Sequence, residues 1–267
     1  MSAHVSRELV QSPAFIPGEL KSRRRGRDLF AITIGVKRRL LRERRRRKVA
    51  RAYDMALEIA RVIPRGSQVL DVGCGNGFIA HHLSAMLGTT VVGIDLANDA
   101  EAPIDYRQYD GKHFPARANS FDAMVSAYVL HHTQDVNTVL NEMKRALRPD
   151  GLAIIYEDIP SLWWDRMICW SHNRQWRGRT GPCTFRLEQG WRKTFSLAGF
   201  EIVKERSLSR WRNLAHPVKR GFYVIRAGQK TRELTHADNP ALQQVADHAQ
   251  AVRFPKWADG KYGLDVP

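Results

Sequence analysis

Ten residues, Val69-Leu70-Asp71-Val72-Gly73-Cys74-Gly75-Asn76-Gly77-Phe78, constrain this chain more than any others. An aliphatic run leads into a carboxylate, three glycines follow at alternate positions, and Phe78-Ile79-Ala80 opens a helical pattern. The order predicts a buried strand, a tight turn and a helix N-terminus. Glycine is needed where backbone turns left-handed or must approach a ligand closely, and the first N–H groups of a helix lack partners within it. The spacing disfavours a nicotinamide-dinucleotide enzyme. In the fingerprint G-x-G-x-x-G/A, a first glycine at Gly73 puts the third position on Phe78.

Further strand-like runs follow. Thr90-Val91-Val92-Gly93-Ile94-Asp95 ends in a carboxylate 18 residues beyond Gly77, where an acidic side chain can accept hydrogen bonds from both hydroxyls of a ribose. Ile104 to Gly111 reads as a more polar strand ending at Asp110. Ser120 to His132 and Arg148-Pro149-Asp150-Gly151-Leu152-Ala153-Ile154-Ile155 supply two more. Taken together, the Asp71-x-Gly73-x-Gly75-x-Gly77 turn and these four segments resemble the class I S-adenosylmethionine (SAM) dependent methyltransferases. The likeness runs from about Ala50 to Ala227 and is nearest the small-molecule branch related to quinone-ring methyltransferases. It implies a Rossmann-like α/β fold: a seven-stranded, mostly parallel sheet closed by an antiparallel strand, with helices on both faces. It also implies SAM as cofactor, with Asp71, Gly73, Gly75 and Gly77 around the methionine portion, Asp95 on the ribose, Asp110 on the adenine and Ser126 beside the sulfonium. Cys74 is then a small filler, and Asp122 is structural.

Alternation of apolar and helical patterns places strands near 68–73, 90–95, 104–109, 121–129, 152–158, 200–207 and 220–227, and helices near 50–62, 76–87, 135–147 and 188–198. Three divisions follow: a basic arm over residues 1–48, a methyltransferase domain over 49–227, and a polar tail over 228–267 with one short helix expected from Ala241 to Val252. Pro13 and Pro17 argue against helix early in the arm. The connection at 160–187 is too long for an ordinary loop. It carries Trp163, Trp164, Trp170 and Trp176, four of the seven tryptophans, and sits where open α/β sheets bind ligands. It reads as a lid, with Trp163, Met167 and Trp170 packing while Trp164 and Trp176 are left to meet substrate.

The formal net charge of +16 is unevenly spread. Between Lys21 and Arg51 stand 15 Lys or Arg against Asp28 and Glu43, leaving +13 there and +3 elsewhere. Phe30-Ala31-Ile32-Thr33-Ile34-Gly35-Val36 interrupts the basic clusters with an apolar patch. An anionic membrane surface suits that combination, RNA would attract the charge equally, and a solubilising extension is the plainer alternative. No apolar run reaches about 18 residues, Met1 to Gln11 does not read as a signal peptide, and Cys74, Cys169 and Cys183 form no C-x-x-C pair. The expected setting is cytoplasmic, peripheral to a membrane if the arm binds one.

Methyl transfer from a sulfonium needs alignment and a dry cavity more than a nucleophile, so no metal is expected. A general base is needed only for an acceptor that must lose a proton. Candidates at strand ends are His131, His132, Glu157, Asp158 and Tyr128, the last also a substrate contact. Which of Glu157 and Asp158 points inward depends on a strand register of one residue. The exocyclic-amine methyltransferases carry N/D-P-P-Y/F/W where this chain reads Ser126-Ala127-Tyr128-Val129, and Pro182-Cys183 lies too far downstream for the cytosine-ring nucleophile. The acceptor expected is therefore small or lipid-like. RNA methylation and non-catalytic SAM binding remain as alternatives, the latter opposed by the intact Asp71, Asp95 and Asp110.

Overall fold

The computed structural model describes residues 17–228, with side chains from residue 36 onward. The expected helix at Ala241 to Val252 lies outside them. The chain divides into two units between Arg51 and Ala52. Helix α1, Pro17–Ala60, is continuous through the whole basic segment. Pro17 therefore does not keep the arm from being helical, and Pro13 lies outside the described residues. Pro17 is the first helical residue, where a missing N–H costs nothing. Arginine is also a strong helix former, and each like-charge pair opposes that by only a few tenths of a kcal/mol. Glu43 relieves part of the repulsion through Arg47, at 3.2 Å.

The second unit is built on one seven-stranded sheet of order β3-β2-β1-β4-β5-β7-β6. Its strands are β1 Val69–Val72, β2 Val91–Asp95, β3 Asp105–Gln108, β4 Phe121–Ala127, β5 Leu147–Ile159, β6 Phe200–Leu208 and β7 Lys219–Ala227. β1 to β5 pair in parallel, and β7 runs antiparallel to both β5 and β6. The buried Val, Ile and Leu of β1, β2 and β4 are what a sheet covered on both faces requires.

Two apolar clusters cover those faces. On one, Met55, Ala56 and Ile59 of α1 join Ala80, Leu83 and Leu87 of α2, Phe78–Leu87. On the other, Val139, Leu140 and Met143 of α3, Val136–Ala146, meet Trp191 and Phe195 of α5, Glu188–Leu197. Asp135 caps α3 by accepting the Asn137 N–H at 2.9 Å. The long connection at 160–187 is mostly helix: α4, Trp163–Thr180, with a small core of Cys169, Cys183, Phe185 and Val218. Among the described residues no helix is long and apolar enough to cross a membrane.

Candidate functional site

The glycine turn opens at the carboxyl end of β1. Gly73, Gly75 and Gly77 all hold positive φ, at 73°, 50° and 75°. A Cβ at Gly73 would lie 2.3 Å from Val129 Cγ2, and one at Gly77 2.9 Å from Ile104 Cδ1. At Gly75 a Cβ would meet nothing within 4 Å. Two glycines are thus forced by neighbouring side chains, and the third faces open space, as a cradle for a ligand would.

Asp95 closes the turn from β2. Its Oδ2 accepts the Gly75 N–H at 2.8 Å and its Oδ1 the Leu96 N–H at 2.7 Å. Asp71 is buried beneath it, and its Oδ2 has no hydrogen-bond partner. Burial, with the charge of Asp95, pushes its carboxyl up to about 7, against a backbone hydrogen bond from Ala80. Ser126 Oγ, at the end of β4, is also buried without a partner. Asp110 lies in the turn after β3. It is exposed, and its carboxylate accepts the N–H groups of Lys112 and His113 while facing His113 Nδ1 at 2.8 Å. Those bonds hold it far below the usual carboxylate range and occupy it in its own turn.

β4 ends in strained backbone. Tyr128 has φ 62°, a left-handed conformation uncommon for a bulky residue and found most often at functional sites. The Arg220 guanidinium lies 5.5 Å from its ring centre. A single 3-10 turn, Leu130–His132, follows. His131 Nδ1 lies 2.6 Å from Glu157 Oε2, and Glu157 Oε1 accepts the Leu130 N–H at 2.8 Å. Burial disfavours a charged His131, but the charge and hydrogen bond of Glu157 outweigh it and raise the pKa above the ordinary 6.5. His132 is the opposite case. Burial, then the neighbouring His131 and His172, push it down to about 3. Burial and His131 likewise push His172 down to about 4.

The register of β5 answers which carboxylate points inward: both are buried, on opposite faces of the strand. Glu157 takes the histidine side. Asp158 Oδ2 lies 2.8 Å from His216 Nε2, and its Oδ1 3.3 Å from Arg220 Nε. Asp158 therefore anchors a neighbouring wall.

The tryptophans divide differently from the expected pattern. Trp163 is 60% exposed and stacks on Trp164, 58% exposed, while Met167 is exposed too. Trp163 and Met167 thus do not pack inward; the inward face of α4 is carried instead by Asp165 and Cys169. Trp176 does meet the cluster, with its ring 5.3 Å from His132 and 5.9 Å from His172. His172, Phe185, His216 and Arg220 are the site residues that sequence reasoning missed. His172 alone carried a signal, since it sits one helical turn before Trp176 and so shares its face. Away from all this, a cleft of about 450 Å³ opens at the amino-terminal edge of the sheet between Gly66, Ser67, Asp122 and Arg148. Asp122 there pairs with Arg148 at 2.6 Å and accepts the Gln68 N–H, a structural arrangement.

A parallel sheet with a glycine cradle and a carboxylate at the carboxyl ends of adjacent strands defines a nucleotide-type site of the Rossmann-like class. Residues 41–205 match the family described as methyltransferase domain, and the chain belongs to that family. A solved SAM-dependent methyltransferase from Methanosarcina mazei has the same fold, with a TM-score of 0.52, 18% identity, and coverage of 64% of this chain and 97% of that one. A ubiquinone biosynthesis O-methyltransferase of Bartonella tribocorum is 31% identical over 99 residues, 33% of this chain and 40% of the relative. A mouse tRNA (carboxymethyluridine(34)-5-O)-methyltransferase is 33% identical over 112 residues, 39% of this chain and 16% of the relative. The match thus spans less than half the length of either relative.

Proposed function

We propose that the chain is a SAM-dependent methyltransferase acting on a small, aromatic or lipid-like acceptor. The observation that carries this reading is the turn at Gly75, open above a left-handed glycine and braced by Asp95. These residues fit the cofactor. Asp95, at the end of β2, has lone pairs left for ribose hydroxyls, and the buried, unpartnered oxygens of Asp71 and Ser126 lie at the ends of the two strands flanking the turn. When bound, SAM supplies an activated methyl group on a sulfonium.

The protein's own part is alignment and exclusion of water. Trp176, Phe185 and α4 wall off the end of β4. Where the acceptor carries an O–H, its proton falls to the His131–His132 cluster, with Glu157 fixing the ring of His131. The ubiquinone biosynthesis O-methyltransferase relative supports a small acceptor methylated on oxygen. The +13 segment supports attachment to an anionic membrane surface, where lipid-like acceptors reside.

A second reading, RNA methylation, is favoured by the same segment and by the tRNA methyltransferase relative.

Calorimetry with SAM and with its demethylated product tests the core of the proposal. Both are expected to bind, and Asp95→Ala is expected to weaken both at least tenfold, about 1.4 kcal/mol or more, through lost charge-assisted hydrogen bonds. Unchanged affinity in the mutant sinks the assignment. Transfer of labelled methyl to a panel of phenols, quinols and RNA then separates the acceptor classes.

A further inference from the structure

Three imidazoles converge beneath α4. His131 and His132 come from the turn after β4, His172 from the helix, and one ring nitrogen of each lies within 4.8 Å of the other two. His132 Nε2 and His172 Nε2 are 3.1 Å apart. The outer nitrogens are held from outside the cluster. His131 Nδ1 faces Glu157, and His132 Nδ1 faces Thr180 Oγ1 at 3.1 Å and Cys183 Sγ at 3.3 Å.

With Nδ1–H directed outward on both rings, the Nε2 atoms carry the inward lone pairs. His131 Nε2 is buried and has no hydrogen-bond partner. A proton there finds no acceptor, and the facing pair of His132 and His172 can share at most one proton. A cation satisfies all three nitrogens at once.

We propose that His131, His132 and His172 form a binding site for a divalent transition-metal ion of the zinc class. Three neutral nitrogen donors suit zinc, cobalt, nickel or copper and do not suit magnesium or calcium. Zinc–nitrogen bonds near 2.0–2.1 Å in tetrahedral geometry place donor atoms about 3.3 Å apart. The His132–His172 pair, at 3.1 Å, already stands close to that.

The surroundings are those of a built site. Glu157 orients His131 as a carboxylate partner orients a zinc-bound histidine. Phe185 stacks on His131 at 4.5 Å and Trp176 flanks the other two rings, so the ion would sit in an apolar shell. Three protein donors leave a fourth position for water or for an oxygen anion. The ion would also tie α4 to the end of β4. Ion binding does not depend on SAM binding, and the two are measured by separate readouts; an ion on these lone pairs would itself replace the histidines as the group that receives the acceptor's oxygen.

The test uses the full-length, tag-free chain, stripped with chelator and titrated with Zn2+ and Co2+. The expected result is one tightly held ion per chain by elemental analysis, a Co2+ visible spectrum of tetrahedral type, and a melting temperature several degrees higher. His172→Gln is expected to lower affinity about a hundredfold. Glu157→Gln is expected to lower it about tenfold, by loosening His131. His81→Gln serves as the control and is expected to leave binding unchanged. Less than a tenth of an equivalent bound by the unsubstituted chain overturns the proposal. So does stoichiometric binding retained by the His131→Gln/His172→Gln double variant with unchanged circular dichroism. SAM calorimetry on the same samples reports separately on the cofactor site.

Discussion

At single residues, the glycine turn separates fold from ligand. Gly73→Ala drives a methyl group into Val129, 2.3 Å away by ideal geometry. It is expected to cost several kcal/mol and much soluble yield, because overpacking adds to the left-handed strain. Gly75→Ala carries only that strain, about 1–2 kcal/mol, yet its methyl group occupies the cradle. Near-native melting with at least tenfold weaker SAM binding is expected; native affinity would mean that Gly75 faces no ligand. Asp71 yields a pH prediction. Its folded pKa of about 7 stands above the ordinary 3.8, so the folded state binds more protons between those values. The contribution of Asp71 to stability is therefore greatest below about pH 4 and is lost as pH rises through 7, by at most about 4 kcal/mol, while carboxylates held below their ordinary range, such as Asp158, act in the opposite sense in acid. Urea titrations of Asp71→Asn from pH 5 to 8 should lose that slope and show a more stable protein at pH 8. An unaltered slope would place the titration elsewhere. The turn was readable because alternate glycines after a carboxylate have few other uses. The hydrogen bonds of Asp110 to Lys112 and His113 were not, since they depend on local loop geometry.

Among the elements, α4 was visible as an overlong connection but not as a helix with a polar buried face. Its tryptophans drew attention, yet tertiary contacts placed Trp163 outside and Asp165 inside. Asp165 accepts from Ser161 Oγ and the Leu162 N–H, both at 3.0 Å, and from Arg210 at 2.9 Å. Asp165→Ala is therefore expected to cost roughly 2–4 kcal/mol, since it strands a partly buried arginine and an uncapped helix start. Limited proteolysis should cut first within 160–187. A cleavage pattern identical to that of the parent chain would show that α4 is held by its apolar contacts alone. Helices α2, α3 and α5 were predictable to within a few residues, because their apolar stripes are local properties.

For the whole molecule, charge segregation was plain in the sequence, while the helical form of the charged segment was not. Removing residues 21–48 is expected to reduce binding to anionic vesicles and leave SAM affinity within twofold. Phe30→Ser/Ile34→Ser should weaken vesicle binding if the apolar patch is buried in lipid. RNA binding would instead show steep salt dependence with little effect of that pair. Co-sedimentation and gel shifts at moderate salt decide the matter, and binding to neither leaves the arm a solubilising extension.

β7 is paired on both sides, yet it is the last strand of the sheet to be synthesised. Until Lys219–Ala227 leaves the ribosome, β5 offers a bare edge carrying the buried side chains Ile154, Ile155 and Tyr156. A nascent or prematurely terminated chain is therefore sticky, since unpaired apolar strand edges recruit other chains. The sheet is therefore completed only when β7 emerges, and a circular permutant that makes β7 early is expected to aggregate less during synthesis.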